Sequence, residues 1–406
     1  MVDSAHVLNA PEREIVVHIL VIPSYFPNEV MHISGIFFLE QVNALHTAGH
    51  QVGVIVPPWL KVTRARLKKH GLSALRRITH EEEFTKFPVY RMHWGVFPRA
   101  VPLIAAPLAL SATKAAFQHY VTQHGKPDII HGHDIFYGGY LSAMLGTEHH
   151  IPSVLTEHST RYMEGKVILP GQQQILRRTI RQLRSVICVS HALLESLRSY
   201  DPTIDGTVIP NLINTDYFSL GILHPDAPFT FFAIGSSEPR KRFDMLIDAF
   251  HQAFKSESNV RLKLAGEGSE TPQIKAQVSS LGLDNQIDLL GRLNREHVRA
   301  EMQQSHVIIS GSQHETFGMS LIEALACGKP IVSTASGGPN DIVTPDVGLL
   351  VPVDDLQAFS NALRQIRDHY SNYDAQKIRE ACVARYSESA VVTQIEQVYD
   401  HVLQIT

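Results

Sequence analysis

The 406-residue chain carries 36 Lys and Arg against 40 Asp and Glu, a formal net charge of -4, with 44% apolar and 19% charged residues. That balance excludes a disordered chain and the strongly basic surface of a nucleic-acid-binding protein, and the length exceeds what one hydrophobic core usually serves, so two domains are expected. Three widely spaced cysteines, Cys188, Cys327 and Cys382, exclude a disulfide framework and a cysteine-based metal site, and read as reduced thiols of a cytoplasmic protein.

In chain order, MVDSAHVLNAPERE has neither the basic start nor the apolar core of a signal peptide. From Ile15 the pattern predicts a strand (IVVHILVIP), a loop (SYFPNEVMHISG), an amphipathic helix (IFFLEQVNALHTAGH) and a strand (VGVIVP), which is a βαβ unit. KVTRARLKKHGLSALRR, residues 61–77, carries seven Lys or Arg and no acid, a composition suited either to a solvated face or to resting on anionic lipid. AVPLIAAPLALSA is apolar but short and carries Pro102 and Pro107, so no membrane span is expected. DIIH at 128–131, SVLT at 153–156 and VICVS at 186–190 read as further buried strands.

A second series begins near Phe229: FTFFAIG, the helix FDMLIDAFHQAF, VRLKLAG, IDLLG, HVIIS and PIVST, with helices between. Short apolar strands alternating with helices form parallel sheets covered on both faces, and the repetition implies two doubly wound α/β domains. The expected division is 1–213 and 214–385, with the helical stretch 386–406 crossing back to the first domain and the join near VIPNLINTDYF. Ligands of such sheets sit beyond the carboxyl ends of the strands, so a cleft between the two sheets is the expected site.

HETFGMSLIEALACGKP, residues 314–330, follows the predicted strand HVIIS. A helix starting at Gly318 leaves the backbone N–H groups of Phe317, Gly318 and Met319 free to face a phosphate. Glu323, inside that helix, suits a vicinal diol such as a ribose, and Glu315 stands at most about 12 Å away at helical rise. That span matches ribose, diphosphate and sugar in line. Carboxylates near a diphosphate are repelled by about 4 kcal/mol per charge pair at 4 Å, so cations must converge there. Arg240, Lys241 and Arg242 in EPRKRF supply them from a strand-to-helix loop.

HETFGMSLIEALACGKPIVSTASGGPNDIV resembles the Glu-x7-Glu signature of the family 4 retaining glycosyltransferases, and the likeness extends over almost the whole chain, through SGIFFLEQVNALHTAGH, DIIHGHD, TEHST, VICVSHALLESL, LAGEG and LGRLNREHV. The resemblance implies the GT-B fold: two Rossmann-like domains facing an interdomain cleft, the first binding the acceptor and the second the nucleotide sugar. It further implies that Glu323 holds the ribose, Glu315 contacts the transferred sugar, Phe317 and Gly318 supply backbone donors, Lys241 pairs with the diphosphate, His158 stands near the reacting sugar, and Gly35 lets backbone approach the donor. Two departures stand out. Gly35 follows Ser34 where many members have two glycines, and Gly235 is followed by Ser236 rather than the family arginine, which leaves Arg240 as the candidate second cation.

His131 and His133, followed by Asp134, raise a metal site that finds no third ligand at convincing spacing; His133 is expected to line the cleft. Glu157 reads as structural, and Asn211 as satisfying hinge backbone. The expected activity is transfer of a sugar, from a UDP-sugar first and GDP-mannose next, to a hydroxyl of a glycan, glycolipid or small molecule, in cell-surface polysaccharide or glycoconjugate synthesis. No metal or other cofactor and no nucleic acid are expected, and residues 61–77 provide a peripheral contact with the inner face of a membrane. The rivals are a GT-B nucleotide-sugar epimerase and a non-catalytic nucleotide-sugar-binding subunit.

Overall fold

The computed structural model describes residues 16–27, 35–57, 76–81, 86–94, 102–167 and 170–404. Two sheets carry the fold, one of eight strands and one of six. The first contains β1 (His18–Pro23), β2 (Gln51–Val56), β3 (Arg76–Glu81), β4 (Val89–Trp94), β5 (Ile129–His133), β6 (Ser153–Glu157), β7 (Ser185–Cys188) and β8 (Gly206–Val208). Their order is β3-β4-β2-β1-β5-β6-β7-β8. The pairing is parallel except at the β3–β4 hairpin, which extends one edge.

The second sheet contains β9 (Phe229–Ile234), β10 (Val260–Ala265), β11 (Ile287–Gly291), β12 (Val307–Ser310), β13 (Ile331–Thr334) and β14 (Gly348–Val351). Its order is β11-β10-β9-β12-β13-β14, parallel throughout. Strand order reverses between β1 and β5 in the first sheet and between β9 and β12 in the second, and each reversal opens a crevice at the strands' carboxyl ends.

The sequence reasons for these strands are plain. β1 is buried at every position and β9 at four of six, because helices cover both faces and no side is left for polar residues. β3 and β4 went unforeseen: as an edge hairpin they tolerate RRITHE and VYRMHW, sequences with no continuous apolar run. Residues 61–75 of the basic segment, and Ser34, lie outside the described residues. Among the described residues no helix is long and apolar enough to cross a membrane.

The chain leaves the first sheet after Val208 and enters the second at Phe229. It returns through the helix Glu388–Gln404, whose Val391, Val392, Ile395, Tyr399 and Val402 pack into the core beneath β1, β2 and the helix Ile36–Thr47. The two crossings touch: Ile213 N–H donates to Tyr386 O at 2.8 Å, and Ile213 bridges to Ser387. A continuous apolar cluster joins Ile135, Leu155 and Cys188 of the first half to Phe317, Leu321 and Tyr386 of the second, so the halves share a packed seam below the cleft.

Candidate active site

β6 ends at Glu157, and the local turn follows from that one side chain. Its carboxylate accepts the backbone N–H of Ile135 at 2.7 Å, of His158 at 3.0 Å and of Ser159 at 2.7 Å. Those bonds fix the chain just beyond two strands and set His158 at the floor of the cleft. Its ring packs on Phe37 and Phe38, with centroids 5.0 and 5.1 Å away, and its Nε2 lies 3.1 Å from His133 Nδ1. Burial holds the His158 imidazole down at about 3, so it is neutral at any physiological pH.

His133 does not line the cleft as expected. It is fully buried behind His158, covered by Phe38 at 4.9 Å and stacked on His131 at 4.6 Å, because the first helix closes over that end of β5. His131 in turn meets Tyr399 Oη at 2.6 Å and Thr156 Oγ1 at 2.8 Å, which ties the returning helix to the strand. Asp134, beside the stack with φ of 60°, reaches the cleft; burial and the neighbouring Glu157 carboxyl push its pKa well above the usual carboxylate range. Gly35 caps the first helix at φ 81°, and a Cβ there would meet Tyr25 Cδ2 and O at 3.1 Å. Only glycine takes that position without strain.

Across the cleft, Gly318 at φ 112° starts the helix Met319–Ala326, so the open helix end is turned toward the same space. Glu315 is set by backbone: its N–H donates to Ser336 O at 3.0 Å and its carbonyl accepts Gly338 N–H at 2.7 Å. A Cβ on Gly338 would come within 2.4 Å of Phe317 Cα, which explains the glycine in SGGP. Lys241 Nζ lies 2.5 Å from Glu315 Oε2, joining the loop after β9 to the loop after β12.

Of the two neighbouring arginines, Arg242 is committed to Asp244 at 3.0 Å and to Asp354. Arg240 lines the cleft and has no carboxylate partner among the described residues. Glu323 is half-buried and is not among the cleft-lining residues; burial raises it to about 7, with Arg295 pulling down and Glu40 pushing up. Asn211 lines the cleft, a placement the sequence reading missed, since it assigned that side chain to the hinge backbone.

One cleft of about 840 Å³ therefore gathers His158, Arg240, Lys241, Glu315, Phe317 and Gly318. Gly35, His133 and Glu323 stand around it rather than in its lining. Among the described residues no cluster of three or more His, Cys, Asp or Glu is arranged to hold a metal ion. A cation pair, an open helix start and a desolvated neutral imidazole facing one another suit an anionic group whose charge increases during reaction.

Comparison with known proteins divides the chain along the same lines. Residues 34–217 match the model "Glycosyltransferase Family 4" and residues 221–381 match "Glycosyl transferases group 1". The chain is 24% identical over 389 residues to a phosphatidylinositol N-acetylglucosaminyltransferase of Arabidopsis thaliana, covering 94% of this chain and 80% of the relative. Its fold is similar to that of sucrose-phosphate synthase from Thermosynechococcus elongatus, with TM-score 0.75, 20% identity and 96% and 100% of the two chains covered. It is also similar to Anabaena HepE, solved in complex with UDP, with TM-score 0.70, 18% identity and 95% and 100% covered.

Proposed function

We propose that this chain, which belongs to the family 4 glycosyltransferases of the GT-B fold, moves a sugar from a nucleoside diphosphate sugar to an acceptor hydroxyl with retention of anomeric configuration. UDP-sugar is the first donor and GDP-mannose the second. Residues 214–385 hold the donor and residues 1–213 the acceptor, with 386–406 crossing back. The observation that carries this reading is the single cleft in which Lys241, Glu315 and the Gly318 helix start face His158.

The chemistry follows from charge. As the bond from the anomeric carbon to the phosphate oxygen breaks, negative charge grows on the diphosphate, and Lys241, Arg240 and the helix start stabilise it. Glu315 contacts the sugar and holds Lys241 in place. His158, neutral and desolvated, orients a sugar hydroxyl without adding a competing charge. The acceptor oxygen bonds to the anomeric carbon on the leaving-group face, and its proton passes to a departing phosphate oxygen. No protein nucleophile and no metal is assigned.

Glu323 accepts hydrogen bonds from the ribose diol, and Gly35 admits the donor phosphates close to the first helix. The acceptor is a glycolipid or related glycoconjugate, in keeping with a relative whose name specifies phosphatidylinositol. The basic segment 61–77 then rests on the anionic membrane surface that presents it.

The test is a thermal-shift screen of UDP-, GDP- and ADP-sugars, in which a ligand at a hundred times its dissociation constant adds about 2.7 kcal/mol. A UDP-sugar should give the largest shift, and Glu323→Ala should weaken that ligand at least about tenfold by calorimetry. Failure of every sugar nucleotide to shift the wild type would refute the donor reading. Donor turnover into a new sugar without any transfer or hydrolysis would favour the epimerase.

A further inference from the structure

Glu40 lies on the helix Ile36–Thr47, which covers the first sheet, and Arg295 opens the helix Arg295–Gln304 of the second. Their side chains form an ion pair between segments 255 residues apart. The Arg295 guanidinium also lies over the rings of Tyr217 and Phe218, at 5.0 and 5.4 Å, in the connection between the halves. Its charge reaches two more carboxyls: Glu323 in the helix Met319–Ala326, and Glu388, which accepts from Asn214 Nδ2 at 3.3 Å. One cation thus serves three carboxyls carried on three helices.

The other charged groups around Glu323 are otherwise engaged. Arg299 lies over Tyr217 at 4.4 Å, and Arg379 donates to the carbonyls of Thr215, Phe218 and Ala326. Cys327, one turn along the same helix, is held as a thiol by burial, with Lys329 beside it. Arg295 and Glu40 are therefore the charges that decide the state of Glu323.

We propose that Arg295 is a positioning residue for the donor nucleotide: divided between Glu40 and Glu323, it sets whether Glu323 offers a carboxylate to the ribose diol. It thereby links the first helix, whose start is Gly35, to nucleotide binding. This rests on the donor reading above. A carboxylate accepts both hydroxyl hydrogens of a diol, whereas the protonated acid spends one oxygen as a donor.

The sign follows from the raised pKa. Binding selects the ionised form, so affinity is complete above about pH 7 and falls, by up to about tenfold per pH unit, below it. Removing the Glu40 charge frees Arg295 for Glu323 and moves this midpoint to lower pH. Removing the Arg295 charge moves it to higher pH. Both substitutions delete the same ion pair, so a merely structural bridge would weaken binding in both.

The experiment is calorimetric titration of the full chain with UDP-glucose and with GDP-mannose, from about pH 5.5 to 8.5, where the diesterified diphosphates exchange no proton. Glu40→Gln should bind at least about threefold tighter than wild type at pH 6, and Arg295→Gln at least about threefold weaker at pH 7. Arg295→Lys should restore a midpoint near that of wild type. Shifts of both variants in one direction, or wild-type affinity independent of pH, would overturn the proposal. If Arg295→Gln does not fold, Glu40→Gln and Arg295→Lys still decide it by the position of their midpoints. If the wild type binds neither sugar nucleotide, the donor reading fails and this inference falls with it.

Discussion

On the second-sheet side of the cleft, charged groups meet at the surface as ions: Lys241 with Glu315, and Arg240 open to the cavity. On the first-sheet side the polar groups are buried and uncharged. His131 and His158 are held at about 3 by desolvation, and the carboxyl of Asp134 is raised well above its usual range. The two sides use the same geometry, a strand order reversal with loops at the carboxyl ends, and differ in how far those loops are covered. The helix carrying Phe37 and Phe38 closes over the histidines, whereas the loop Pro239–Lys241 stays open. The lesson is that burial by one neighbouring helix decides whether a strand-end site works with charge or with neutral hydrogen bonds.

The sharpest way to break this comparison is to remove charge from the open side one cation at a time. Arg240→Ala should lower the rate of nucleoside diphosphate release at saturating donor by roughly 30- to 1000-fold, the equivalent of about 2 to 4 kcal/mol, because the leaving-group charge is largest in the transition state. Arg242→Ala should leave that rate nearly unchanged, since Arg242 is held by Asp244 and Asp354. Equal rates for the two variants would remove Arg240 from the leaving-group role.

The covered side should reveal itself through acid sensitivity. An imidazole at about 3 in the folded protein takes up its proton near pH 6.5 only when unfolded. Its contribution is present above pH 6.5 and is lost as pH falls toward 3, by up to about 1.4 kcal/mol per pH unit for each histidine, or about 2 kcal/mol at pH 5. Glu323, raised to about 7, acts in the opposite sense between 4.5 and 7. Melting temperatures measured between pH 7 and 5 should fall, and His131→Asn should flatten the slope. An unchanged slope in that variant would mean that His131 is not held neutral.

The smallest effect belongs to the boundary between the two sides. Gly35→Ala should cost roughly 1 to 2 kcal/mol of stability, read by denaturant unfolding, because φ of 81° is left-handed and the new methyl meets Tyr25 at 3.1 Å. A neutral outcome would show that the first helix can shift its start.

Much of this fold was legible in the sequence for a local reason. Strands buried on both faces, such as FTFFAI and HILVIP, are continuous apolar runs, and the helices between them have their own periodicity. The edge strands β3 and β4 were not legible, because an edge position imposes no such run. In the site, the stretch from Glu315 to Glu323 could be read as a helix start with flanking acids because those residues are adjacent in the chain. The Glu40–Arg295 pair could not: its members belong to no shared motif and meet only when the two sheets are packed. His133 was expected at the cleft surface from its strand-end position, and no pattern in β5 announces that Phe38 covers it.

The central claim is that Lys241 is the cation that receives the departing diphosphate, and one measurement tests it directly. Wild type and Lys241→Ala are incubated with UDP-glucose or GDP-mannose, and release of the nucleoside diphosphate is followed at saturating donor, with donor affinity and melting temperature recorded beside it. The variant should stay folded, still bind the donor and release nucleoside diphosphate about a hundredfold or more slower. Release at the wild-type rate by Lys241→Ala, or no release from any sugar nucleotide by the wild type, would contradict that claim.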